Sequence, residues 1–211
     1  MDRNCDTIRM MLQGKKNRKE RERVRMMEWV QRLDFQILDW IQQHLKGRAL
    51  DVAMPLITAL GNGGWIFLVL TIGLLISKRY RQQGKTLGGA LLLCLLVGNL
   101  LLKPMVGRIR PYQFVEGFEL LVQPLRDASF PSGHTMAATA CAAVFWWYRR
   151  IFRGWSVVVL VGAVLMAFSR LYLYVHFPSD VLCGALLGVA MAALSAWVNE
   201  RLGAKHRNKM Q

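Results

Sequence analysis

The chain has 211 residues, 54% of them hydrophobic, and yet carries a formal net charge of +15. That length suits one domain, and the charge alone would suit a nucleic-acid binder. The two residue kinds segregate, however. Long apolar stretches with almost no charge alternate with short clusters of lysine and arginine, which marks a multi-span membrane protein and argues against a nucleic-acid partner.

Residues 1–27 form a basic tail, densest at "GKKNRKERERVR". It has nothing to bury, so disorder or a frayed helix is expected. From Glu28 to Leu50 the apolar residues Trp29, Leu33, Ile37, Trp40, Ile41 and Leu45 recur at helical spacing, with Arg32, Asp34, Asp39 and Gln42 between them. This pattern predicts an amphipathic helix lying in the membrane interface. Crossing the membrane would make it a sixth span, at ~2.5–3.5 kcal/mol for each charge near the helix centre.

Five spans follow, at residues 54–77, 86–102, 134–148, 155–173 and 181–198. The first should bend at "GNGG" (Gly61 to Gly64), because the part beyond the glycines is shorter than the ~20 residues a span needs. In the last, Gly184, Gly188 and Ala192 form a small-residue ridge that should pack closely against another helix. The expected fold is therefore all-α, a polytopic membrane bundle of five or six transmembrane helices over residues 28–200, with a basic cytoplasmic tail at 201–211. Cys94, Cys141 and Cys183 lie in apolar stretches and Cys5 in the tail, without the spacing of a zinc site or a disulfide framework. No metal or other cofactor is expected. The first apolar run comes too late for a cleavable signal peptide.

The connections sort by charge. "KRYRQQGK" (Lys78 to Lys85), "RRIFR" (Arg149 to Arg153) and the C-terminal tail are basic, and by the positive-inside rule they face the cytoplasm. The two remaining connections, residues 103–133 and 174–180, then share the outer face, and the chemically interesting residues lie in or beside them. Lys103 and Arg110 flank the start of the first. Ser132, Gly133 and His134 open the span after it. Arg170 ends the fourth span inside an apolar run, where a charge needs a partner. His176 lies in the second connection and Asp180 at the start of the last span.

Taken singly, these residues could be snorkelling anchors, an N-cap serine and solvated interface groups. Together they describe a pocket. Three cations beside the free N–H groups of a helix start suit a multiply charged oxyanion, most simply phosphate. Two histidines beside it divide into nucleophile and acid. A carboxylate hydrogen-bonded to one imidazole would fix its tautomer, and Asp180 can do this for His176.

The spacing K-x6-RP (Lys103, Arg110, Pro111), PSGH (Pro131 to His134) and SR-x5-H-x3-D (Ser169, Arg170, His176, Asp180) resembles the three-part signature of the type-2 phosphatidic acid phosphatase family. The hydropathy resembles that of its small bacterial membrane members. The resemblance implies metal-independent hydrolysis of a phosphate ester or anhydride through a phosphohistidine. His176 would be the nucleophile, Asp180 its partner, and His134 the acid that protonates the leaving oxygen. Lys103, Arg110, Ser132, Gly133 and Arg170 would bind the phosphate. The family also includes soluble vanadium-dependent haloperoxidases, a branch the apolar spans argue against.

The expectation is thus a bacterial plasma-membrane lipid phosphatase with its site on the outer side. Phosphatidic acid, phosphatidylglycerophosphate and undecaprenyl pyrophosphate are equally open as substrates. A lipid phosphotransferase using the same pocket is the alternative within enzymology, and a non-catalytic phospholipid-binding or transport protein the alternative outside it.

Overall fold

The computed structural model describes the backbone of residues 18–208 and the side chains of residues 27–202. Among them there are helices and no strands. In chain order these are α1 (Arg18–His44), α2 (Arg48–Gly61), α3 (Trp65–Ile76), α4 (Arg81–Leu93), α5 (Lys103–Val106), α6 (Gly133–Trp147), α7 (Arg149–Phe152), α8 (Trp155–Tyr172) and α9 (Pro178–Asn208). A π-helical stretch, Cys94–Leu102, joins α4 to α5 without a break.

Four segments are long and apolar enough to cross a membrane: α2 with α3, residues 81–114, α8, and α9 to Leu202. The remaining expected span, α6, has 15 residues, about 22 Å at 1.5 Å per residue. It is the hub of the bundle, with Thr135, Met136, Ala138, Ala140, Cys141, Ala142, Val144 and Phe145 all buried. The ridge on α9 packs against it as expected. A Cβ at Gly184 would sit 2.7 Å from the Ser132 carbonyl oxygen, and one at Gly188 would overlap the Met136 carbonyl. Thr139 Oγ1 uses the close approach to donate to the Ala185 carbonyl at 3.2 Å.

The predicted bend at "GNGG" is present. Gly63 and Gly64 take left-handed φ values of 62° and 72°, which glycine adopts without a Cβ penalty, and the helix restarts at Trp65. The second span widens where Pro104 approaches. Proline offers no N–H and its ring crowds the carbonyl four residues back. The Lys103 N–H accordingly bonds to the Gly98 carbonyl, one residue farther than in an α-helix.

The N-terminal region differs from expectation in three ways. Helix α1 begins at Arg18, so residues 18–27 are helical rather than disordered. Residues 1–17 lie outside the described residues. The helix ends at His44, and the first span starts at Arg48, not Met54; Gly47, a poor helix former, stands at the junction. Finally, α1 turns its charges inward. Asp34 is buried, whereas Trp29, Leu33, Ile37 and Trp40 are exposed. The inner face meets only the end of the bundle that carries the histidines. Phe35 packs edge-on against Phe114 and Phe177, Tyr174 donates its hydroxyl proton to Asp39 Oδ1 at 2.7 Å, and Gln42 donates to the Tyr172 carbonyl at 2.7 Å. At the opposite end the basic connections meet through Tyr80, Phe152 and Phe145, stacked in turn at 5.6 and 4.1 Å. Beyond Arg201 helix α9 simply continues to Asn208.

Candidate active site

Three connections build the site. Helix α8 ends on Tyr174 with φ 58°, and the N–H groups of Val175 and His176 return to the Arg170 carbonyl at 3.2 and 3.4 Å. This hook folds His176 inward until it is 1% exposed. Asp180, in the first turn of α9, accepts the Phe177 N–H at 3.0 Å and passes its own carbonyl to the Ser132 N–H at 3.2 Å. The start of α6 is thereby tied to the start of α9. Residues 107–132 close over both, held by the Ser129 N–H on the Arg108 carbonyl at 2.8 Å.

A cavity of about 550 Å³ opens among these elements. Its polar end is lined by Asn99, Lys103, Arg110, Asp127, Gly133, His134, Arg170 and His176. Six of the eight residues expected from the sequence therefore share one wall. The other two stand behind it. Ser132 occupies the N-cap position as expected, but is fully buried and turns its hydroxyl to Thr135 Oγ1 at 2.9 Å. Asp180 is likewise fully buried.

The direct Asp180–His176 hydrogen bond expected from the sequence is not formed. Oδ2 lies 3.8 Å from Nδ1, beyond hydrogen-bond reach. Ser129 bridges the gap: its hydroxyl donates to Asp180 Oδ2 at 2.5 Å and stands 3.4 Å from Nδ1. On the other side of the ring, Arg110 Nη1 lies 3.2 Å from Nε2. A guanidinium can only donate, so Nε2 holds the lone pair and Nδ1 the proton. Burial, reinforced by Arg170 and Arg110 against the pull of Asp180, pushes the imidazole down to about 3. His176 is therefore neutral at physiological pH, with Nε2 facing the cations.

Those cations are held differently. Arg110, 2% exposed, donates to the carbonyls of Asp127 (2.9 Å) and Val175 (2.7 Å) and to Asp127 Oδ1 (2.8 Å). Lys103 pairs with Asp127 Oδ2. Burial alone would raise the Asp127 carboxyl, but Lys103 and Arg110 outweigh it and hold the group at about 2. Arg170 is also 2% exposed. Its Nη1 reaches Thr58 Oγ1, while Nε and Nη2 have no hydrogen-bond partner among the described residues. A buried guanidinium with two unmatched nitrogens on a cavity wall is a receptor for oxyanion oxygens.

Sequence reasoning missed a second layer. Arg108 Nη1 donates to Asp180 Oδ1 at 2.5 Å, and Nη2 to Asp34 Oδ2 at 2.7 Å. Asp34 also accepts the Ser179 N–H at 2.9 Å. Helix α1 is thereby linked through Arg108, Asp180 and Ser129 to His176. Asn62, inside "GNGG", places Oδ1 3.0 Å from His134 Nε2. Away from its polar end the cavity becomes an apolar trough, lined by Phe67, Leu68, Leu91, Leu92, Leu95 and Met136. Leu68, Leu92 and Leu95 are half-exposed on the outer surface of the bundle, so the trough opens sideways.

A polytopic helical bundle with paired histidines and an arginine-rich oxyanion pocket at one end defines a membrane phosphatase-like class. Comparison with known proteins agrees. The family model described as PAP2 superfamily matches residues 83–203, and the chain belongs to that family. It is 31% identical over 140 residues to the undecaprenyl-diphosphatase of Sulfolobus acidocaldarius, an alignment covering 64% of each protein and so just under two thirds of that relative's length. The structure is similar to that of Aquifex aeolicus LpxE, with a TM-score of 0.68 and 30% identity over 77% of this chain and 94% of that one. It is also similar to a transmembrane PAP2-type phosphatidylglycerolphosphate phosphatase of Bacillus subtilis, with a TM-score of 0.66 and 26% identity over 82% and 87% of the two chains.

Proposed function

We propose that this protein hydrolyses the phosphate monoester or diphosphate of a membrane lipid through a phosphohistidine. The observation that carries the reading is Arg170, buried with Nε and Nη2 unmatched, in one cavity wall with the neutral, lone-pair-bearing Nε2 of His176. Arg170, Arg110 and Lys103 bind the phosphoryl oxygens, helped by the N–H groups at Gly133 where α6 begins. Nε2 attacks phosphorus as the bond to the leaving oxygen breaks, and His134 protonates that oxygen. The proton on Nδ1 stays with the ring, and the Ser129–Asp180 bridge stabilises the cationic phosphohistidine. His134, now neutral, takes a proton from water, which attacks phosphorus and releases phosphate from Nε2.

The trough supports a lipid substrate. It accepts an acyl or prenyl chain from the side while the phosphate lies among the cations. The relatives act, by their names, on an undecaprenyl diphosphate and a phosphatidylglycerol phosphate, and both present a phosphate on a long apolar chain. We read the site end as the outer side of a bacterial plasma membrane, because Lys78, Arg79, Arg81, Lys85, Arg149, Arg150 and Arg153 gather at the other end. With α1 seated on the site end and its Trp29–Trp40 stripe turned to lipid, five spans suffice. Purified protein assayed on those lipid phosphates and on p-nitrophenyl phosphate tests the reading. Release of inorganic phosphate with much higher kcat/KM for the lipids is expected. Equal efficiency at matched surface concentration would refute the lipid assignment, and label appearing in a second lipid would favour phosphotransfer.

A further inference from the structure

The "GNGG" break sits within a membrane span, where a helix interruption strands backbone groups that lipid cannot satisfy. Such breaks persist where they line a cavity. This one is internally repaired. The Ala59 carbonyl accepts both the Asn62 N–H and the Trp65 indole N–H, and the Trp65 N–H bonds to the Asn62 carbonyl. A repaired break could still be replaced by continuous helix unless its shape does something. Each of its four residues has a use at the site. Gly61 makes room for the ring of His134: a Cβ there would stand 2.6 Å from His134 Cδ2 and 2.9 Å from Met166 Cε. Gly63 and Gly64 supply the left-handed turn. Asn62, projected by that turn, presents Oδ1 to His134 Nε2 at 3.0 Å.

We infer that Asn62 is a positioning residue for His134, and that the helix break exists to deliver it. An amide oxygen on Nε2 requires a proton there. No described residue hydrogen-bonds Nδ1, so that nitrogen is the one left for the substrate. An imidazolium donating from Nε2 to Asn62 can donate from Nδ1 to the leaving oxygen in the same orientation. Asn62 thus acts on His134 as the Ser129–Asp180 bridge acts on His176, but with a neutral acceptor. The negative charge that would hold the proton too tightly for release is absent. This rests on His134 being the acid of the proposed reaction.

Leaving groups separate this from a structural role. A lipid alkoxide needs a proton as it departs and p-nitrophenolate does not. With purified enzyme in micelles, Asn62→Leu should lower kcat on a long-chain lipid phosphate by roughly tenfold to hundredfold, the value of one hydrogen bond to a charged group. Its kcat on p-nitrophenyl phosphate should change far less. Asn62→Asp keeps an acceptor of the same shape and should restore most of the lipid rate. In a His134→Ala background, Asn62→Leu should cost nothing further. Should Asn62→Leu not fold, Asn62→Ala carries the same expectation. Equal losses on both substrates, an Asp variant as impaired as Leu, or a further loss without His134 would each overturn the assignment. A His134→Ala enzyme slowed equally on both substrates would instead remove the acid role from His134, and the role of Asn62 with it.

Discussion

Ser129 offers the most direct test of how His176 is oriented. Its hydroxyl is fully buried, 2.5 Å from Asp180 Oδ2 and 3.4 Å from His176 Nδ1, and it does not line the cavity. Ser129→Ala removes the bridge while leaving Asp180 its bonds from Arg108 Nη1 and the Phe177 N–H. The carboxylate therefore stays paired, and the fold loses one hydrogen bond among several. What changes is the stabilisation of positive charge that develops on the ring as Nε2 attacks. A hydrogen bond to a charged group contributes about 1.5–3 kcal/mol, so at about 1.4 kcal/mol per decade kcat should fall roughly 10- to 150-fold. KM should hold, because the phosphate-binding cations are untouched. Rapid-quench measurement of the phosphoenzyme would locate the loss in its formation. Wild-type kcat in Ser129→Ala, beside a severe defect in Asp180→Asn, would show that Asp180 acts on the ring directly and refute the bridge.

Three further outcomes follow from the same geometry. Because His176 is held down at about 3 against an ordinary value of 6.5, the unfolded chain binds the extra proton first; stability should fall as pH drops from 6.5 toward 3 and be unaffected above that window, and His176→Gln should flatten part of this slope in thermal melts. Leu95→Trp, which fills the apolar trough, should reduce kcat/KM for long-chain lipid phosphates by about tenfold or more while sparing p-nitrophenyl phosphate; parallel losses on both would move the chain elsewhere. Activity should survive EDTA, since Lys103, Arg110 and Arg170 supply the positive charge the phosphoryl oxygens need; loss on chelation reversed by a divalent ion would contradict the cation-only pocket.

The parts of the fold that were legible in the sequence are those governed by local physics. Spans announce themselves because hydrocarbon tolerates only long apolar helices. The bend at "GNGG" was readable because adjacent glycines rarely sit inside a helix without a reason. The ridge on α9 was readable because residues four apart share a helix face. The seat of α1 was not. Its apolar spacing suggests a buried stripe, yet Trp29, Leu33, Ile37 and Trp40 face outward and Asp34 faces in. Periodicity reveals that a helix has two faces. Where lipid lies on one side and protein on the other, it does not reveal which face meets which. Asp34 could be turned inward only because Arg108 and Ser179 stand ready to receive it.

The same distinction runs through the site. Lys103, Arg110, Gly133, His134, Arg170 and His176 line one cavity because a phosphoryl group demands cations, free N–H groups and a nucleophile within a few ångströms. Short helical and loop spacings can satisfy that demand, so the demand leaves a readable pattern. The residues that orient them carry no such pattern. Ser129 is 51 positions from Asp180, Asn62 is 72 from His134, and Asp34 is 145 from Ser179. Each needs only a hydroxyl, an amide or a carboxylate at the right point in space, and any segment that passes there can provide it. Asp180 illustrates the consequence. Its spacing from His176 implies a direct hydrogen bond, but the hook at Tyr174 leaves Nδ1 3.8 Å away, and a serine from another connection completes the link. Reading the motif identifies the nucleophile, the clamp and the carboxylate; the route by which the carboxylate acts is a property of the packing.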